Sequence, residues 1–176
     1  MKKLGKFLYD GLLKFEKVFL ILSSVLILLF VCATVFMRYL FKVDLYGFGE
    51  VVLLIAVWMY FIGASHGTFT KSHVNIDIVD LLIQNQNIRS GIKILSSLIV
   101  FLLCVIFSLW SFDQFLSGIE SGEKSLVLRI PMYVPESSLF VGFLLMSLHS
   151  LINLIKDIKE AFFSKRELVL NDEKLG

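Results

Sequence analysis

Four stretches of this chain carry no ionised residue, and each is long enough to cross a bilayer. They are Val18–Met37, Val51–Thr70, Ile94–Phe112 and Ser137–Ile155, of 20, 20, 19 and 19 residues. A helix of roughly 20 apolar residues spans about 30 Å of hydrocarbon. Charges are excluded from such runs because a Lys, Arg or Asp at a helix centre costs about 2.5–3.5 kcal/mol on insertion. A soluble bundle of buried helices alternates polar and apolar faces, and these runs do not. The chain is 57% hydrophobic and 18% charged, against about a quarter charged in an ordinary soluble domain. The fold class predicted is an all-α integral membrane protein with four transmembrane helices and short amphipathic interfacial helices.

The segments between the runs are too short for a core of their own. A single membrane domain over residues 1–176 is therefore expected, with spans near 18–40, 50–70, 92–115 and 135–158. Cations sort by segment. Thirteen Lys and Arg fall before the first run, between the second and third, and after the fourth; four fall in the other two connections. The positive-inside rule places both termini and the middle loop in the cytoplasm (N-in/C-in). The first run is too long for the apolar core of a signal peptide, and no Ala-x-Ala site follows it. It reads as an uncleaved anchor. Cys32 and Cys104 lie inside runs and read as small apolar fillers.

Residues 1–17 are amphipathic. Leu4, Phe7, Leu8, Leu12 and Phe15 share one face; Lys3, Lys6, Asp10, Lys14 and Lys17 share the other. A helix lying in the lipid interface is expected. A second is expected over Ser72–Ile83, where Asp77 and Asp80 share one side and Val74, Ile78, Leu81 and Leu82 another. The connection Asp113–Glu136 is expected to be non-helical: Gly118–Lys124 as a mobile turn, then an extended piece, because Pro131 and Pro135 oppose a regular helix. The tail over 167–176 is expected to be flexible.

Few residues offer chemistry. Arg38 closes the first span and Glu50 opens the second at the same depth, where they can pair or meet another protein. Gly47 and Gly49 allow the tight return between them. Gly63 and Gly67 form a small-xxx-small pair, with Ala56 and Tyr60 on the same face, which lets a helix approach closely. Trp58 sits in mid-span. His66 and His149 lie at similar depth on different spans, so a b-type haem held between them is the alternative reading, an electron carrier. No phosphate loop, no HExxH and no nucleophile–base pair is present. No span has an acidic residue at its centre, as a self-sufficient proton-coupled carrier requires. The residues point to no enzyme, cofactor, metal or nucleic-acid partner.

The order of these residues resembles a known family. Arg38-Tyr39 closes span one, Glu50 opens span two, and Trp58 and Gly63 follow. Next come His73, Val74, Ile76 and Asp77 in a His-Val-x-Ile-Asp pattern. Leu128, Ile130 and Pro131 form Leu-x-Ile-Pro before span four. The chain is similar over about residues 15 to 155 to the small, DctQ-like membrane subunit of tripartite ATP-independent periplasmic (TRAP) transporters. Tyr133 stands near a place where that family often has Trp, and Gly142 is kept without the family's preceding Pro. The resemblance implies a subunit that binds no substrate and stays attached to a large elevator subunit in the bacterial inner membrane. It also implies a periplasmic substrate-binding protein that delivers an organic acid, and sodium-coupled uptake. Arg38, Glu50, Trp58, Gly63, Gly67, His73, Asp77 and Pro131 are then the residues expected at partner interfaces. His73 and Asp77 would organise the cytoplasmic connection.

Overall fold

The computed structural model describes the backbone over residues 2–43, 46–69 and 86–172, and side chains over 9–43, 46–69 and 90–162. Four helices account for nearly all of it: α1 (Lys2–Phe36), α2 (Phe48–Phe69), α3 (Gln86–Ser121) and α4 (Tyr133–Asp172). All four contain a stretch long and apolar enough to cross a membrane. At 1.5 Å per residue, α1 with its 35 residues extends about 52 Å, well beyond the hydrocarbon thickness. The expected boundary near residue 17 is not marked by any break: α1 is continuous from Lys2. The helix of α4 likewise continues past Arg166 to Asp172. The expected interfacial helix at Ser72–Ile83, with His73 and Asp77, lies outside the described residues.

Helix ends follow local chemistry. After α1 the chain makes a π turn, Met37–Phe41, and stops at Lys42 in the left-handed conformation (φ 52°). Gly47 (φ +92°) precedes α2, and its carbonyl accepts the amides of Glu50 and Val51 at 3.1 and 3.3 Å. At the other end of α2, Asn153 Nδ2 donates to the Thr68 carbonyl at 2.9 Å, satisfying one of the carbonyls that a helix C-terminus leaves open. Helix α3 ends before Gly122 (φ +62°), a glycine in the left-handed position that terminates many helices.

The connection between α3 and α4 corrects the sequence reading. Gly118–Ser121 is the last turn of α3, not a mobile turn, and Asp113 lies within the helix. Pro135 sits in the first turn of α4, where a missing N–H breaks no hydrogen bond, so it is compatible with the helix. The non-helical connection is only 122–132. The extended piece expected over Ser125–Glu136 does not form: residues 126–128 bend, Arg129 is left-handed (φ 52°), helix begins at Tyr133, and an isolated bridge between Lys124 and Pro131 closes the loop.

The helices pack as a row rather than as a closed bundle. Backbone contacts link α1 to α2, α2 to α4, and α4 to α3. Among the described residues α1 and α3 form the two flanks, and α4 is the most enclosed helix. Packing within the row follows membrane rules, where small residues admit close approach and aromatic rings fill the rest. Gly142 on α4 lies against Phe61 on α2: a Cβ added there would stand 2.6 Å from the Phe61 Cβ. Phe143 meets Phe61 and Phe107 at ring distances of 5.6 and 5.4 Å, and Phe140 meets Phe112 at 5.2 Å. The flanks are apolar and exposed, with Val18, Leu28 and Leu29 on α1 and Leu109 and Trp110 on α3 each about 60% accessible.

Candidate functional site

Two carboxylates organise the described structure, one at each end of the row. At the end where α2 begins, Glu50 projects into the 122–132 connection. Its Oε2 accepts Ser125 Oγ–H at 2.6 Å and the Leu128 amide at 2.8 Å, and its Oε1 accepts the Val127 amide at 2.9 Å. Ser125 Oγ in turn accepts the Ile130 amide at 3.1 Å, and the Ser125 amide reaches the Ile130 carbonyl at 2.8 Å. A carboxylate is suited to this because its several lone pairs accept a converging set of amides. The loop so held places Leu128 over Gly47, where a Cβ would come within 2.9 Å of the leucine side chain. The Leu126 side chain is left 97% exposed. A cleft of about 400 Å³ opens beside Glu50, lined by Leu53, Leu54, Val57, Leu126, Ile130 and Pro135 among others.

At the other end, where α1 starts and α4 finishes, Glu16 is fully buried. Ser65 Oγ–H donates to its Oε1 at 2.9 Å, and His66 Nδ1 lies 3.2 Å from its Oε2. His149, also fully buried, brings Nδ1 to 3.1 Å from Ser65 Oγ and 3.9 Å from Glu16 Oε1. Tyr9 and Phe69 pack on the His149 ring at 5.5 and 5.9 Å. Three helices thus meet on one carboxylate: α1 supplies Glu16, α2 Ser65 and His66, and α4 His149.

The expected site residues are distributed unevenly between these places. Arg38 lies exposed on the π turn. Glu50 and Pro131 belong to the assembly formed with the 122–132 connection. Trp58 is half-buried on α2. Gly63 faces Leu20 of α1, at 3.4 Å from an added Cβ, so the close approach it permits is within the chain. Gly67 borders a separate groove of about 500 Å³ between α2 and α3, with Thr68, Ser96, Cys104 and Phe143. His66 and His149 do come together, with Nδ1 at 3.2 and 3.9 Å from the two Glu16 carboxylate oxygens. Cys32 and Cys104 are both free, and the described residues contain no cluster of His, Cys, Asp and Glu able to hold a metal ion.

Sequence reasoning missed Glu16 and Ser65. A signal existed for Glu16. Its neighbours three and four residues away are Leu12, Leu13, Phe19 and Leu20, an entirely apolar surrounding for a carboxylate. The amphipathic face assigned to residues 1–17 is inverted there: Phe15 is 62% exposed and Glu16 is buried. In lipid the apolar residue turns outward and the polar one finds partners inside. Ser65 lies inside the Gly63–Gly67 motif and gave no signal of its own.

Residues 27–160 match the family described as tripartite ATP-independent periplasmic transporters, DctQ component. The chain belongs to the DctQ family. It is a small membrane subunit of a TRAP transporter and a multi-pass membrane protein. The match begins after Glu16, takes in the whole Glu50 assembly and reaches past His149. No curated protein matches the chain.

Proposed function

We propose that this DctQ subunit is the stationary, non-substrate-binding partner of the large membrane subunit. It sits in the bacterial inner membrane with both termini in the cytoplasm. In this reading the two subunits form a stable heterodimer that takes up an organic acid, delivered by a periplasmic substrate-binding protein, with sodium as the coupling ion. The observation that carries the proposal is the row of helices α1–α2–α4–α3. A row presents two broad apolar faces and an apolar helix at each flank. Such a wall covers more of a partner than a closed bundle of equal mass, and it resists being dragged through lipid while an elevator moves beside it.

The outer loop supports a contact role for the opposite end. Glu50 fixes residues 125–130, and that loop presents Leu126, Val127 and Leu128, each at least partly exposed, while Arg38 lies exposed on the π turn. Arg38, Glu50 and Pro131 then act at the periplasmic face, Trp58, Gly63 and Gly67 along the membrane face, and His73 and Asp77 at the cytoplasmic connection. The test is reconstitution with the large subunit and the binding protein. Uptake that requires this chain, yet is absent from vesicles holding this chain alone, supports the reading. So does co-purification of the two membrane subunits that survives detergent exchange. Flux through the isolated chain, or a large subunit fully active without it, overturns the proposal.

A further inference from the structure

The cleft beside Glu50 changes character along its length. Glu50, Glu123, Lys124 and Ser125 line one part of it, and Leu53, Leu54, Val57 and Pro135 line another. Glu50 stands in the first turn of α2, and Val57 lies about 10 Å further along that helix at 1.5 Å per residue. The cleft therefore runs from the edge of a membrane span into its apolar stretch. We propose that it binds one zwitterionic phospholipid, with an acyl chain against Leu53, Leu54 and Val57 and a phosphoethanolamine headgroup on Glu123 and Lys124.

The charges at the rim are held by the backbone. The Met132 amide donates to the Glu123 carbonyl at 2.9 Å, Lys124 bridges to Pro131, and the Ser125 amide donates to the Ile130 carbonyl at 2.8 Å. The Glu123 and Lys124 residues are exposed, and neither side chain makes an ion pair among the described residues. Adjacent and opposite in sign, they match a phosphate and an ammonium carried by one headgroup. Glu50 adds a second negative charge, and its oxygens are already engaged by Ser125 and two loop amides. The lining is thus net negative. It disfavours a headgroup that carries phosphate alone and favours one that brings its own cation. The passage from charged to apolar over about 10 Å matches the layer between headgroups and acyl chains. Leu126, 97% exposed and also part of the lining, offers the chain a further apolar surface.

The test is native mass spectrometry of the full chain, equilibrated in detergent with equal amounts of phosphatidylethanolamine and phosphatidylglycerol bearing the same acyl chains. Wild type is expected to retain one phosphatidylethanolamine in preference, by about two- to fivefold, the range that an exposed charge pair contributes. Lys124→Glu removes the partner of the phosphate and should abolish the preference. Glu123→Lys makes the lining net positive and should invert it in favour of phosphatidylglycerol. Val57→Phe fills the apolar end and should lower retention of both lipids by about fourfold or more, the equivalent of at least one methylene no longer buried. Equal retention of the two lipids by wild type, or an unchanged preference in Glu123→Lys, overturns the proposal and leaves annular lipid only. Unchanged retention in Val57→Phe also overturns it, and weaker capture of the large membrane subunit by that variant would then assign the cleft to a protein partner. Should Val57→Phe fail to fold, the two charge variants decide, since both change exposed residues.

Discussion

Glu50 and Glu16 have the same functional group and a similar count of hydrogen bonds, but different kinds of donor. Glu50 is held by two backbone amides and a serine hydroxyl, none of which titrates near neutral pH. Glu16 is held by a serine and a histidine, with a second histidine behind the serine. The first arrangement shapes a loop and is indifferent to its surroundings. The second joins three helices through groups whose charge can change. Position explains the contrast. Glu50 opens its helix, where the dipole favours an anion and loop amides are within reach. Glu16 faces neighbouring helices whose backbone amides are already used, so only side chains remain to receive it.

The largest effect that would test this contrast is expected from Glu16→Ala. It leaves Ser65, His66 and His149 facing a void, and its cost should be about 3–5 kcal/mol, typical of removing one member of a buried charged pair. Denaturant or thermal unfolding in detergent measures it. A loss no greater than that of an exposed residue would mean that the inner assembly is not a joint.

Glu50→Ala should have a smaller global effect and a strong local one. Amide exchange at Val127 and Leu128 is expected to accelerate markedly while the cores of α2 and α4 stay protected. Equal acceleration at both ends of the molecule would erase the distinction between a loop clamp and a helix clamp. Gly47→Ala tests the same loop from beneath. The left-handed backbone costs an L-residue about 1–2 kcal/mol, and the added methyl must displace Leu128. Ser125→Ala comes last, at about 1 kcal/mol for each of the two hydrogen bonds its hydroxyl makes, to Glu50 and from the Ile130 amide. Amide exchange at Ile130 is the local readout, because that amide loses its serine acceptor.

The four spans were legible because hydrocarbon imposes its demand on each segment separately. Run length and missing charge suffice, whatever the neighbours are. The helix limits were less legible. In the sequence Pro135 reads as a helix breaker, yet a proline in the first turn has no hydrogen bond to lose. Gly118 reads as a turn residue but is buried in the last turn of α3 beneath Glu136. Glu50 was identified as important, but not its ligands, since Ser125, Val127 and Leu128 are more than 70 residues away and two of them act through the backbone. The histidine pair was found by depth alone. What lies between the rings was not, because Glu16 belongs to a segment assigned to the membrane surface.

The sequence alone determined that this polypeptide crosses a membrane four times over, and which family order its motifs follow, since transfer into lipid is a property of each segment by itself. Tertiary structure alone decided that the helices stand in a row and that a carboxylate sixteen residues from the start meets two distant histidines. Lipid offers a polar side chain no solvent, so its partner is whichever group the packing brings near, and that choice is made only when helices from remote parts of the chain come together.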